Sequence, residues 1–168
     1  MDIHLFVLIF TIIFMLHNLE EIMTIEKWFN KTYPRIRKRI PAFVEEELRK
    51  FETMNAARFS FVVFLLSIPV AILIVITTIT EHYLLFLGLN LLFALNIFTH
   101  PLQSLYLRSY TPGLWTSVSL IIPYYIILSY HISNTGLLTF NNLLGAVVIL
   151  ILFIPIFLLS HKAAEKWN

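Results

Sequence analysis

Cysteine is absent from this chain of 168 residues. That excludes a disulfide framework, thiolate chemistry and cysteine-ligated zinc. Charge is scarce as well. Asp, Glu, Lys and Arg supply 13% of the residues against 58% hydrophobic, and mean hydropathy is +0.81. A water-soluble domain of this size has no interior large enough to hide so much apolar surface. The composition predicts an integral membrane protein embedded in the lipid bilayer, with no provision for nucleic acid. No internal repeat is present, so an inverted-repeat transporter has no support.

What the chain does have is apolar runs of about 20 residues, the length that crosses a bilayer as a helix. Five are predicted, at about 3–25, 59–80, 83–107, 112–130 and 143–160. The expected fold is all-α: one transmembrane domain over 1–168, an integral membrane bundle of about five helices. A cytoplasmic amphipathic segment is expected between helices 1 and 2. After Pro41, the spacing of Phe43, Val44, Leu48, Phe51 and Met54 fits a helix lying at the interface. Glu45, Glu46 and Glu47 would be solvated in its first turns. The Arg35 to Arg39 cluster before it would attract anionic lipid.

The basic residues set the orientation. All twelve Lys and Arg fall after the first, third or fifth span. Lys27, Lys31, Arg35, Arg37, Lys38, Arg39, Arg49, Lys50 and Arg58 follow the first; Arg108 follows the third; Lys162 and Lys166 follow the fifth. The opposite loops carry none. The positive-inside rule then places the N-terminus outside and the C-terminus in the cytoplasm of a multi-pass cell-membrane protein. A cleaved signal peptide does not fit the first span, which has no basic leader and ends in His-Asn-Leu-Glu-Glu.

That ending is the most informative run. An ionised side chain costs around 3 kcal/mol at a helix centre in the membrane, and such groups mark sites or pathways. On a helix Glu20 and Glu21 flank His17 within an arc of roughly 100°. In the third span Asn96, His100 and Gln103 share a face. His17 lies about 15 Å of helix rise before Lys27, and His100 about 12 Å before Arg108. The two polar sets therefore reach similar depths on the cytoplasmic side. The two spans are expected to run in opposite directions. Lipid cannot satisfy either set, so both should face inward. His161 ends the fifth span on the same side. Thr111, Pro112 and Gly113 read as the start of the fourth span, with Thr111 as N-cap and Pro112 at the first helical position.

The residues His17-x-x-Glu20-Glu21 resemble the signature of the HXXEE family of small multi-pass bacterial membrane proteins of unknown function. Asn96-x-x-x-His100 and Tyr110-Thr111-Pro112-Gly113 resemble that family's later motifs. The resemblance implies an architecture and a site, and no reaction.

Several chemistries suit these residues. His17 and Glu21, one turn apart, can ligate one metal ion, with His100 and then His161 or Asn96 completing the set. Glu20 is then the general base, by analogy with the inverted zinc-protease motif. Mixed imidazole and carboxylate ligands suit zinc, iron or manganese. Such a centre would activate water for an intramembrane hydrolase acting on a lipid or peptide. A metal-free version would use Glu20 or Glu21 on water, with Asn96 and His100 stabilising an oxyanion. A different class is a proton-coupled small-molecule permease or binding protein, with His17, Glu20 and Glu21 as a titrating relay. Five spans are few for a permease, which favours a homo-oligomer in that case. Bis-histidine haem ligation by His17 and His100 sits badly beside two carboxylates.

Overall fold

The computed structural model describes residues 3–49, 52, 54–135 and 139–166, with the side chains of Glu47 and Glu165 outside that description. Lys50 and Phe51, to which the sequence assigns a charge and an interfacial contact, lie outside it too. The described residues form helices: α1 (Ile3–Lys31), α2 (Tyr33–Ile36), α3 (Ala42–Arg49), α4 (Ala56–Thr80), α5 (Tyr83–Ala94), α6 (Asn96–Leu107), α7 (Leu114–Thr116), a π-helical turn (Ser117–Ile121), α8 (Ile122–Thr135) and α9 (Phe140–Lys166). Five helical stretches are long and apolar enough to cross a membrane. The α5–α6 pair makes the third, and α7 through α8 makes the fourth.

Local chemistry explains the departures from a plain five-rod bundle. α1 continues six residues past the expected end at Ile25. Its last turns carry Trp28 and Phe29, which are buried with Tyr33 and Ile36 in a small satellite core. Leu48 of α3 packs against that core, while Phe43 stays 72% exposed. The interruption between α5 and α6 falls at Leu95, upstream of Pro101. Proline has no N–H to give and crowds the carbonyl four residues back, here that of Ile97. α4 and α6 end on residues in the left-handed region, Glu81 (φ 56°) and Arg108 (φ 47°). Such a residue is a common way to finish a helix at a turn.

The core lies among α1, α5, the π-turn and α8, built from Phe6, Phe10, Phe86, Leu89, Phe93, Ile121, Tyr124 and Leu128. Asn90 is buried inside it, accepting from Tyr124 Oη at 2.9 Å through its side chain and from Tyr125 Oη at 2.5 Å through its carbonyl. α9 packs chiefly on α5, and also on α4. Gly88 permits the close α5–α9 approach, since a Cβ there would stand 2.6 Å from Ile149 Cβ. Small residues at such crossings replace the hydrophobic drive that helices lack in lipid.

α1 and the α5–α6 span run in the same sense. His4 meets Tyr83 edge-on, His17 meets His100 edge-on, and Trp28 bonds to Tyr110. The antiparallel expectation fails for a simple topological reason: one span intervenes, so the third returns in the direction of the first. This parallel register sets the two polar faces at the same depth and opposite each other.

Candidate functional site

Three side chains meet between α1 and α6. His17, Glu21 and His100 each offer a ligand atom, and these atoms lie within 4.8 Å of one another. Glu21 Oε1 stands 3.8 Å from His17 Nε2 and 3.5 Å from His100 Nε2. The His17–Glu21 pair follows from helix geometry, because residues four apart are neighbours on one face. His100 joins them through the parallel register, its ring 4.9 Å from that of His17. His17 is 2% exposed.

Glu20 takes another direction. Its Oε1 accepts from Tyr110 Oη (2.7 Å) and Trp115 N (3.0 Å), and its Oε2 from Thr116 N (2.7 Å) and Thr116 Oγ1 (2.6 Å). The carboxylate thus caps the first turn of the helical stretch Leu114–Thr135. A helix start presents unpaired N–H groups and a positive dipole end, and a carboxylate satisfies both. The expected cap is not the one used. Thr111 makes no side-chain cap; its Oγ1 donates to the carbonyl of His100 at 3.2 Å, and α7 begins at Leu114 after Gly113. Pro112 therefore precedes the helix, and the capping group arrives from α1.

Thr116 links the cap to the cluster. Its Oγ1 lies 2.8 Å from His17 Nδ1. The single hydroxyl proton is committed to Glu20 Oε2, so the oxygen accepts from His17, whose proton then sits on Nδ1. That tautomer turns the Nε2 lone pair towards Glu21 and His100. Metal-bound histidines are oriented in this way, by a partner on the remote nitrogen.

Gly113 fixes the turn against both rings. Its φ is +80°, a region that favours glycine. A Cβ there would lie 2.7 Å from His17 Cε1 and 2.9 Å from His100 Cε1. Trp28 Nε1 donates to the carbonyl of Tyr110 at 2.6 Å and holds the same segment from the other side. Burial pushes the Tyr110 phenol up to about 12. It therefore remains a donor to Glu20 throughout the physiological range.

The remaining candidates from the sequence fall as follows. Asn96 Oδ1 lies 3.2 Å from His100 Nε2. Among the described residues, buried His100 Nδ1 has no hydrogen-bond partner of standard geometry, although the Pro112 backbone lies near the ring. Ligation through Nε2 calls for the proton on Nδ1 and the Asn96 amide turned to present its NH2, an exchange of O and N positions that leaves its shape unchanged. Gln103, on the face assigned to Asn96 and His100, is exposed. His161 lies outside the group of three; its Nδ1 is 3.1 Å from the Phe157 carbonyl, and its ring packs on Phe157. Sequence reasoning missed Thr116 and Trp28 as parts of the site. Thr116 sits in an unremarkable Leu-Trp-Thr-Ser run, and only its neighbour across the bundle gives it a role.

The cluster opens into a cavity of about 550 Å³ between α1, α4, α5–α6 and α9. Phe10, Phe14, Val62, Leu66, Leu92 and Phe153 form much of its wall. Polar side chains, Asn18, Asn96, Thr99 and His161 with the cluster itself, gather at one end. The arrangement is an imidazole–carboxylate donor set facing hydrocarbon.

No curated protein and no solved structure matches this chain. A family model described as a protein of unknown function with an HXXEE motif matches residues 8–128, a stretch that contains His17, Glu20, Glu21, Asn96, His100, Gly113 and Thr116 and leaves out His161; the chain belongs to that family.

Proposed function

We propose that the chain is a metal-dependent intramembrane hydrolase acting on a lipid or a peptide, with its centre in the cytoplasmic half of the membrane. The observation that supports this most is the convergence of one ligand atom each from His17, Glu21 and His100 within 4.8 Å, at the polar end of an apolar cavity. Ligand atoms on a tetrahedral zinc stand about 3.3 Å apart, given bonds of about 2.0–2.1 Å. The two separations from Glu21, 3.5 and 3.8 Å, are close to that value, and all three ligand atoms lie within 4.8 Å of one another. Small side-chain rotations would complete the set, leaving a fourth position for water. Zinc suits these donors, and so do iron and manganese. A bound ion would activate that water and polarise a carbonyl.

The roles then differ from those suggested by the motif. His17, Glu21 and His100 are ligands. Glu20 positions Thr116, which orients His17, and its four hydrogen bonds leave it no part as general base. Glu21 would also accept the proton from the attacking water. Asn96 orients His100. His161 contributes to the cavity wall rather than to the donor set.

Elemental analysis of protein purified in detergent, with metal supplied during purification, tests the proposal. Wild type should carry close to one equivalent, and His17→Ala and His100→Ala should lose it. Wild-type protein without bound metal would overturn the metal-dependent reading. One observation favours a second class. Glu20, Thr116, His17, Glu21 and His100 form a continuous file of polar contacts, as a proton relay in a permease requires. That reading predicts proton flux in liposomes under a pH gradient, abolished by Thr116→Val.

The charge distribution supports an external N-terminus and a cytoplasmic C-terminus. With no native cysteine present, single cysteines at the exposed positions Glu46 and Glu81 report the orientation. An impermeant thiol reagent added to intact cells should label position 81 and spare 46. The opposite pattern would reverse the assignment.

A further inference from the structure

The shape and lining of the cavity narrow the substrate class. Its wall on α1 runs from Phe10 to Glu21, about 16 Å of helix rise. An extended peptide lodged there would carry an N–H and a C=O at every residue. Unpaired in hydrocarbon, each costs several kcal/mol, and below the polar end this wall offers only Phe, Val, Leu and Ile side chains. A hydrocarbon chain makes no such demand.

The way in points to the same class. Leu95 at the head of α6, and Ile154 and Phe157 on α9, line the cavity yet are each about half exposed. α9 packs on α4 and α5, with no comparable packing on α6. The cavity therefore opens sideways between α6 and α9, towards the place where lipid would lie. A chain sliding in from the bilayer exchanges one apolar surrounding for another.

We propose, building on the hydrolase reading, that the substrate is an acyl-ester lipid whose chain occupies this cavity. In such a molecule the ester carbonyl sits where hydrocarbon gives way to polar head. With the chain lodged towards Phe10 and Val70, the carbonyl arrives beside His17, Glu21 and His100. The reaction is hydrolysis without redox change. Water oxygen bonds to the acyl carbon and the carbon–oxygen ester bond breaks. The alcohol leaves with one proton, and a carboxylate and a second proton remain.

The test uses the full-length protein in phosphatidylglycerol–phosphatidylethanolamine vesicles with a trace of phospholipid bearing a diazirine in mid-chain. After irradiation, mass spectrometry locates the adducts. Adducts on Phe14, Val62, Leu66 or Leu92 are expected, and their loss in Val62→Phe and Leu66→Phe. Thermal unfolding and metal content, measured on the same samples, serve as the check that both variants fold. Free fatty acid should appear with wild type and fall in step with the inner adducts. Adducts confined to outward-facing Phe64 and Ile68 in wild type would overturn the proposal, as would inner adducts with no fatty acid released by metal-loaded protein. Inner adducts in a protein that binds no metal yet releases fatty acid would uphold the acyl-lipid substrate and overturn the metal centre.

Discussion

Glu20→Gln separates two roles that the motif alone leaves together. The carboxylate accepts four hydrogen bonds, two on each oxygen. A glutamine keeps one acceptor oxygen and sets an NH2 group against the other pair of donors. Two bonds to a charged acceptor are lost, each worth about 1.5–3 kcal/mol. The site is partly open to solvent, so the lower figure applies, and the total is about 3 kcal/mol. For a chain of this size about 2–4 °C accompanies each kcal/mol, which predicts a fall of about 6–12 °C in the unfolding midpoint. With the NH2 turned to Thr116, the hydroxyl loses the acceptor that fixes it and His17 loses its fixed tautomer. Loss of such an outer partner typically weakens metal binding by about 10–100-fold. Thermal unfolding in detergent and a metal titration read both effects. If Glu20 were instead the general base, the same variant would keep its midpoint and its metal affinity and lose only turnover. Unchanged midpoint and affinity would therefore refute the positioning role.

Other perturbations test neighbouring parts of the account. Thr116→Val preserves shape and removes the acceptor for His17 Nδ1, so metal affinity should fall by about 10–100-fold with a smaller change in midpoint than Glu20→Gln. Equal affinities of Thr116→Val and wild type would contradict the assigned tautomer. Gly113→Ala introduces a Cβ 2.7 Å from His17 Cε1 on a backbone at φ +80°. Both histidine rings must shift, and metal stoichiometry should drop together with stability; retention of both would show that the turn does not constrain the rings. His161→Ala should retain full metal stoichiometry, since His161 lies outside the group of three. Loss of metal in that variant would restore it as a ligand.

Much of this architecture is legible in the chain. Apolar runs locate the five long helices, because a run of that length has few other uses. The spacing of His17 and Glu21 predicts their shared face, and Asn96 with His100 likewise. The far end of α1 is not legible in hydropathy. Past Ile25 the helix is held by Trp28 and Phe29 against Tyr33 and Ile36, a tertiary contact. The divergence of Glu20 from Glu21 is hidden for a similar reason. On a helical wheel they lie about 60° and 40° to either side of His17, and nothing local distinguishes them. The neighbours decide: the start of α7 stands on one side and α6 on the other. Thr116 and Gly113 acquire their roles only when the turn at Tyr110–Gly113 folds back over the two imidazoles.

X-ray absorption spectroscopy on zinc-loaded protein tests the central claim most directly. The account predicts a first shell of two imidazole nitrogens and carboxylate or water oxygen at about 2.0–2.1 Å. One imidazole should disappear in His100→Ala if that variant can be forced to bind at high zinc. A shell of oxygen alone, or one unaltered by both His17→Ala and His100→Ala, would contradict it.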